Sequence, residues 1–170
     1  YFDVYRGIRT GRNSIFVVDE EKFGSKDSLR PVVRGNDVGS YYTPDSSERI
    51  IYATQRTFDP DDYPEVRGYL EQNKEDKLLT RSQYSNRVEK GEDIKWWEIE
   101  QPLSPDIFEQ EKIIAQRITQ DYRFSLERES LYTLETCTTV VPKDSENMEF
   151  FLGLLNSKLL EFFSKADGKS

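Results

Sequence analysis

Apolar and polar positions recur along this chain with two periods, two and about 3.6, and the change from one to the other marks its elements. Tyr5 to Arg9, then Thr10-Gly11-Arg12-Asn13, then the apolar run Ile15-Phe16-Val17-Val18 predict a hairpin over residues 1–19. Gly and Asn are the residues that tolerate positive φ in so tight a connection. Glu20 to Asp27 is polar and turn-like, and Pro31-Val32-Val33 runs into a second turn, Arg34-Gly35-Asn36-Asp37. Arg49 to Ala53 predicts a short strand after the polar Pro44-Asp45-Ser46-Ser47. A helix is expected from Tyr63-Pro64, with Asp61 and Asp62 suiting its positive end and Val66, Tyr69 and Leu70 forming its inward stripe. It either continues to Leu79 or breaks near Asn73. Residues 81–95 read as a polar loop ending at Trp96-Trp97, which on a strand would face opposite ways. Lys112 to Ile118 fits helix or strand on pattern, and its β-branched content, with the strand-like Tyr132 to Val141, favours strand. Asn147 to Phe163 is the clearest helix, with Phe151, Leu152, Leu155, Leu159, Phe162 and Phe163 at spacings of three, four and seven. The fold class expected is α+β: twisted antiparallel sheets with a few helices, ending in an amphipathic helix.

A length of 170 residues suits one domain, spanning residues 1–170, or one domain with a small appendage. Ten Tyr, ten Phe and two Trp supply large buried areas to a chain in which only 35% of residues are hydrophobic. No apolar run approaches the roughly 20 residues of a membrane helix. The first residues, Tyr1-Phe2-Asp3, carry neither Met nor a signal peptide, as expected of a boundary inside a longer protein. A single cysteine, Cys137, excludes an internal disulfide and a cysteine zinc site, and points to a reducing, cytoplasmic setting. The absence of histidine removes Ser-His-Asp and Cys-His catalysis and histidine metal sites.

The net charge of −8 opposes attraction to phosphate, but it is unevenly spread. Residues 1–56 hold nine Lys and Arg against eight Asp and Glu, whereas residues 57–130 hold 11 against 18 and residues 131–170 hold 4 against 6. A basic surface on an acidic body is compatible with this distribution.

Candidate chemistry is sparse. Walker, Rossmann, nucleophile-elbow and kinase signatures are missing, and so is the Asn-Pro-Pro-aromatic tetrapeptide of adenine methyltransferase catalytic domains. Pro60-Asp61 followed by Glu75-Asp76-Lys77 formally matches a loose metal-nuclease pattern, but Glu75 to Lys77 falls in a helical, solvated stretch where that chemistry needs a strand. Asp93-Ile94-Lys95 and Glu20-Glu21-Lys22 match equally well, as expected by chance in a chain with 32 acids and 24 bases. No catalytic and no metal-ligating residue is therefore expected. Arg9, Arg12 and Asn13 in the first turn, Arg34 in the second, and Arg81, Tyr84, Asn86 and Arg87 together form a more useful pattern. Arg forks onto guanine edges or phosphate and Asn pairs with adenine.

Several blocks, in this order, resemble one family. They are Gly7-Ile8-Arg9-Thr10-Gly11-Arg12-Asn13-Ser14-Ile15-Phe16, Leu29 to Val38, and Tyr63-Pro64 with Tyr69-Leu70, Leu79 and Arg81. Trp96-Trp97-Glu98 follows, then Phe108 with Lys112-Ile113-Ile114, then Phe151-Leu152-Gly153-Leu154-Leu155-Asn156-Ser157. The chain is similar over almost its whole length to the TaqI-like C-terminal specificity domain of type II adenine-specific DNA methyltransferases and restriction–modification enzymes. The resemblance implies a target-recognition domain that grips double-stranded DNA, while a methyltransferase catalytic domain of the same polypeptide holds S-adenosylmethionine and the flipped adenine. No cofactor belongs to this part. It further implies DNA contacts from Arg9, Thr10, Arg12, Asn13, Arg34, Gly35 and Lys112, to which the polar loop adds Arg81 and Arg87, with Gly11 and Gly35 as backbone necessities. Lys112 equally fits a buried lysine pairing an acid, and Asn156 and Ser157 fit a cap of the last helix. The family usually continues beyond this helix, whereas this sequence stops at Ser170, so a missing closing element is expected. A protein-interaction module of the same fold is the alternative that the acidity suits, and a metal nuclease is a remote third.

Overall fold

The computed structural model describes residues 2–43, 45–119, 122–143, 147–160 and 162, which divide between two compact units. One comprises Tyr1–Ile8, Val33–Ser46 and Leu103–Ser170, the other Arg9–Val32 and Ser47–Pro102.

The strands are β1 (Phe2–Arg6), β2 (Val17–Asp19), β3 (Leu29–Val33), β4 (Glu48–Ile51), β5 (Lys112–Gln116), β6 (Phe124–Glu127), β7 (Tyr132–Thr133) and β8 (Cys137–Pro142). In the first unit an antiparallel sheet has the order β1-β8-β5-β6. Ile113 pairs with Val140 and Leu126, and Ile114 with Thr139 and Ser125. Successive side chains on a strand point to opposite faces, so Ile113 and Ile114 serve two cores. Ile113 packs with Met148 and Leu152 of helix α4 (Met148–Leu155), whereas Ile114 packs with Val33, Val38 and Cys137. Phe108 and Tyr132 stack at 4.4 Å, both buried.

In the second unit β4 lies between β2 and β3, antiparallel to each. Around it are the one-turn helix α1 (Asn13–Phe16), α2 (Pro64–Gln72) and α3 (Ser82–Glu89). Phe16, Ile50, Ile51, Leu70, Leu78 and Ile99 are buried here. Helix α2 begins at Pro64 and buries Val66 and Leu70, as the spacing predicts. It ends at Asn73, whose carbonyl accepts from both Lys77 and Leu78 N–H and so opens a π-helical turn, Lys74–Leu78.

Antiparallel sheets with a few helices are the expected class, but four local expectations need correction. Residues 1–19 form no hairpin: β1 pairs with β8 and β2 with β4. The turn between them starts a helix instead. Thr10 Oγ1 donates to Asn13 Oδ1 at 2.6 Å and accepts from Arg12 N–H at 3.1 Å, after which Ile15 and Phe16 N–H close onto the Arg12 carbonyl. Residues 82–89 are helical although none of them is buried, so no apolar stripe signals the helix. Trp96 and Trp97 lie on a turn rather than a strand, and both are half-buried. The last helix stops at Leu155, where Asn156 caps it, and a separate turn carries residues 158–160. Phe163 lies outside the described residues.

Candidate functional site

The first turn of the second unit is built around Gly11, which has φ +80°. A Cβ there would fall within 2.6 Å of the Glu100 side chain, so this position needs glycine on two counts. Thr10 is buried and Asn13 half-buried, and their side chains are joined to one another. Arg12 is thereby turned outward: it is exposed and donates weakly from Nε to the Lys77 carbonyl at 3.4 Å. Arg9 is half-buried, with Nε 3.4 Å from Oε2 of buried Glu100 in an ion pair that lacks hydrogen-bond geometry.

Arg81 is not among the exposed cations. It is 2% exposed and its guanidinium is engaged by four backbone carbonyls. Nε donates to Leu78, Nη1 to Thr10 and Glu98, and Nη2 to Trp96. The cation also sits 5.5 Å from the Phe16 ring centroid and 5.8 Å from that of Tyr84. Burial pushes its pKa down, and the charge of Glu100 opposes that shift. Arg81 therefore braces the Thr10–Asn13 turn from inside and does not present its fork to a ligand. Arg87, half-buried on α3, is paired with Glu92 at 2.7 Å.

Lys112 is likewise internal. It is fully buried at the start of β5, paired with Glu127 of β6, and donates to the Phe108 carbonyl at 2.6 Å. Burial lowers its pKa, against the raising effect of the Glu127 hydrogen bond and charge. Glu127 also accepts from Glu129 and Leu131 N–H, which fixes the chain leaving β6. Of the two roles that the sequence leaves open for Lys112, the internal pair is the one it performs. Arg81, Thr10 and Lys112 are thus each buried with their polar atoms engaged inside the fold, where they act as supports of the turn and the sheet.

The second turn belongs to the first unit and is held closely. Gly35 N–H donates to Thr136 Oγ1 at 2.9 Å, and a Cβ on Gly35 would lie 2.4 Å from the Thr136 carbonyl oxygen. Arg34 is half-buried and its N–H donates to Asp37 Oδ2. Next to it is a pair that sequence reasoning misses: Gln116 Nε2 donates to Asn36 Oδ1 at 2.9 Å, joining the turn to the end of β5. Asn36 is visible in the sequence only as a turn residue, and nothing there announces its partner 80 positions away. Asn156 takes the capping role expected of it: it donates to the Phe124 and Leu152 carbonyls and accepts from Phe124 N–H. Ser157 Oγ accepts from Leu160 N–H.

Two residues of the metal-nuclease pattern are engaged elsewhere. Asp61 is paired with Arg67, Lys77 Nζ donates to Asn73 Oδ1, and among the described residues no group of three His, Cys, Asp or Glu is placed to hold a metal ion. Also among the described residues, no helix is long and apolar enough to cross a membrane.

Residues 70–168 match the TaqI-like C-terminal specificity domain. The structure is similar to that of the Type IIL restriction–modification enzyme MmeI, solved in complex with DNA, with a TM-score of 0.62 and 14% identity. That likeness covers 95% of this chain and 21% of the MmeI chain, so this chain spans about a fifth of that enzyme's length. Since the family match takes in more than half of its residues, the chain belongs to the TaqI-like C-terminal specificity domain family.

Proposed function

We propose that this chain recognises a specific sequence in double-stranded DNA for a cytoplasmic restriction–modification enzyme. Methyl transfer to adenine is then the work of a separate catalytic domain of the same polypeptide, which holds S-adenosylmethionine. The observation that carries the reading is family membership over residues 70–168, supported by a fold shared with an enzyme solved on DNA. Two rigid turns provide the local chemistry: Arg12 faces solvent from a turn braced by Arg81, and Arg34 and Asn36 stand on a turn locked by Gly35. Rigid supports of this kind let loop residues read base edges while cations set the register on phosphate. The adenine target and the cofactor rest on the family alone.

The test is selection from pooled random duplexes, with affinity followed across a salt series. Enrichment of one short motif, with binding that weakens steeply as salt rises, is the expected result. Binding to no duplex at low salt, by this chain and by the intact parent alike, overturns the reading in favour of a protein-interaction module, which the net charge of −8 would suit.

A further inference from the structure

The joined amides of Asn36 and Gln116 have a chemistry of their own. Two carboxamides linked by one N–H···O bond keep one NH2 group and one carbonyl oxygen that the bond does not use. Here those are Asn36 Nδ2 and Gln116 Oε1, and neither makes a hydrogen bond among the described residues. Exchanging N and O in both amides reverses the roles but again leaves one donor beside one acceptor. The pair therefore keeps a donor and an acceptor available in either arrangement.

It is also pre-positioned. Asn36 is exposed on a one-turn helix, Gly35–Asp37, whose backbone is pinned by Gly35 N–H to Thr136 Oγ1 and closed by Val38 N–H to the Gly35 carbonyl. Gln116 is the last residue of β5, opposite Cys137, and its Cγ would lie 3.2 Å from a Cβ placed on Gly35. The neighbouring Arg117 is exposed, and its N–H is held by the Thr136 carbonyl. An amide pair supported by strand and turn loses little freedom on binding, and the adjacent arginine suits phosphate.

We infer that Asn36 and Gln116 together read one adenine in the major groove: Asn36 donates to N7 and Gln116 accepts from the N6 amino group. The inference rests on the DNA-recognition reading above and assigns it a base. Among the four bases only adenine offers an acceptor beside a donor on this edge. Guanine offers two acceptors and would set O6 against the Gln116 oxygen, cytosine offers only a donor, and thymine an acceptor beside a methyl group.

The experiment starts from the motif enriched by the wild-type chain. Asn36→Ala and Gln116→Ala are then selected on the same pool, with folding verified by circular dichroism and thermal melting. Both variants are expected to lose preference at one and the same A·T position, by about 10-fold, with the rest of the motif retained. At that position 7-deazaadenine, which lacks N7, weakens the wild type but leaves Asn36→Ala unaffected. Purine without the 6-amino group likewise weakens the wild type and leaves Gln116→Ala unaffected. A wild-type motif without A·T pairs, or variants that keep every preference, overturns the assignment while DNA recognition stands. Failure of both this chain and the intact parent to enrich any motif overturns both.

Discussion

The first unit encloses its cation, Lys112, against a carboxylate; the second encloses Arg81 against backbone carbonyls. A lysine ammonium is compact, and here one acid and the nearby Phe108 carbonyl occupy it. The flat guanidinium of Arg81 instead reaches four carbonyls on three stretches of chain, at Thr10, at Leu78, and at Trp96 and Glu98. No shorter or rounder cation spans them. The first arrangement closes a charge pair; the second organises loops. In both, a residue type that reads as a surface contact is used as an interior tie.

The comparison breaks most visibly at Lys112. Lys112→Met leaves Glu127 buried without its counter-charge, and unfolding in urea should show a loss of about 3–5 kcal/mol. Pairing that change with Glu127→Gln removes the stranded charge and should restore part of the loss, since the introduced amide oxygen would still accept from Glu129 N–H, while the bond from Leu131 N–H to the other oxygen is given up. If the double variant is no better than the single one, the pair acts through packing and not charge. Arg81→Lys is expected next, at about 2–3 kcal/mol, because the charge is kept but the fork onto four carbonyls is lost. Full stability in Arg81→Lys would show that the charge, and not the span of the guanidinium, holds the loops.

A buried group with no counter-charge sharpens the contrast. The Cys137 thiol is pushed up from 9.0 to about 12, chiefly by burial. The folded protein therefore keeps a proton that the unfolded chain releases above pH 9, and stability is lost as pH rises through this range. Relative to Cys137→Ala, the wild type should lose about 1.4 kcal/mol between pH 8 and pH 10, read from urea midpoints at each pH. Parallel curves for the two proteins would mean that the thiol ionises freely in place.

What is legible in the sequence follows the range of the interactions. Helix α2 is set by Pro64 and by Val66 and Leu70 within a few positions of each other, β4 is a short apolar run, and β5 is told from a helix by its β-branched content and the strand-like segment that follows. The pairing of β1 with β8 joins Phe2 to Pro142, and no local pattern encodes it. Helix α3 buries none of its residues, so the periodicity that reveals helices is missing. The site is half legible for a related reason. Gly11 and Gly35 can be read as backbone necessities from composition and turn context. The burial of Lys112 depends on an acid in β6, and that of Arg81 on carbonyls from across its unit. Lys112 does carry one local hint, since it directly precedes three buried residues, Ile113, Ile114 and Ala115.

The smallest effect on stability discriminates best between a brace and a contact. Arg12 stands two residues from Thr10, whose carbonyl binds Arg81, yet it is exposed and makes only a 3.4 Å bond to the Lys77 carbonyl. Arg12→Ala should therefore change unfolding free energy by no more than about 0.5 kcal/mol. If Arg12 meets phosphate as proposed, the same variant should bind every duplex more weakly and lower the slope of log affinity against log salt by about one. Arg81→Lys should show the opposite signature, a large stability loss with the slope retained in the fraction that stays folded. A destabilised Arg12→Ala with an unchanged slope would make Arg12 a second brace of the turn and leave the phosphate contact to the Arg34–Asn36 turn.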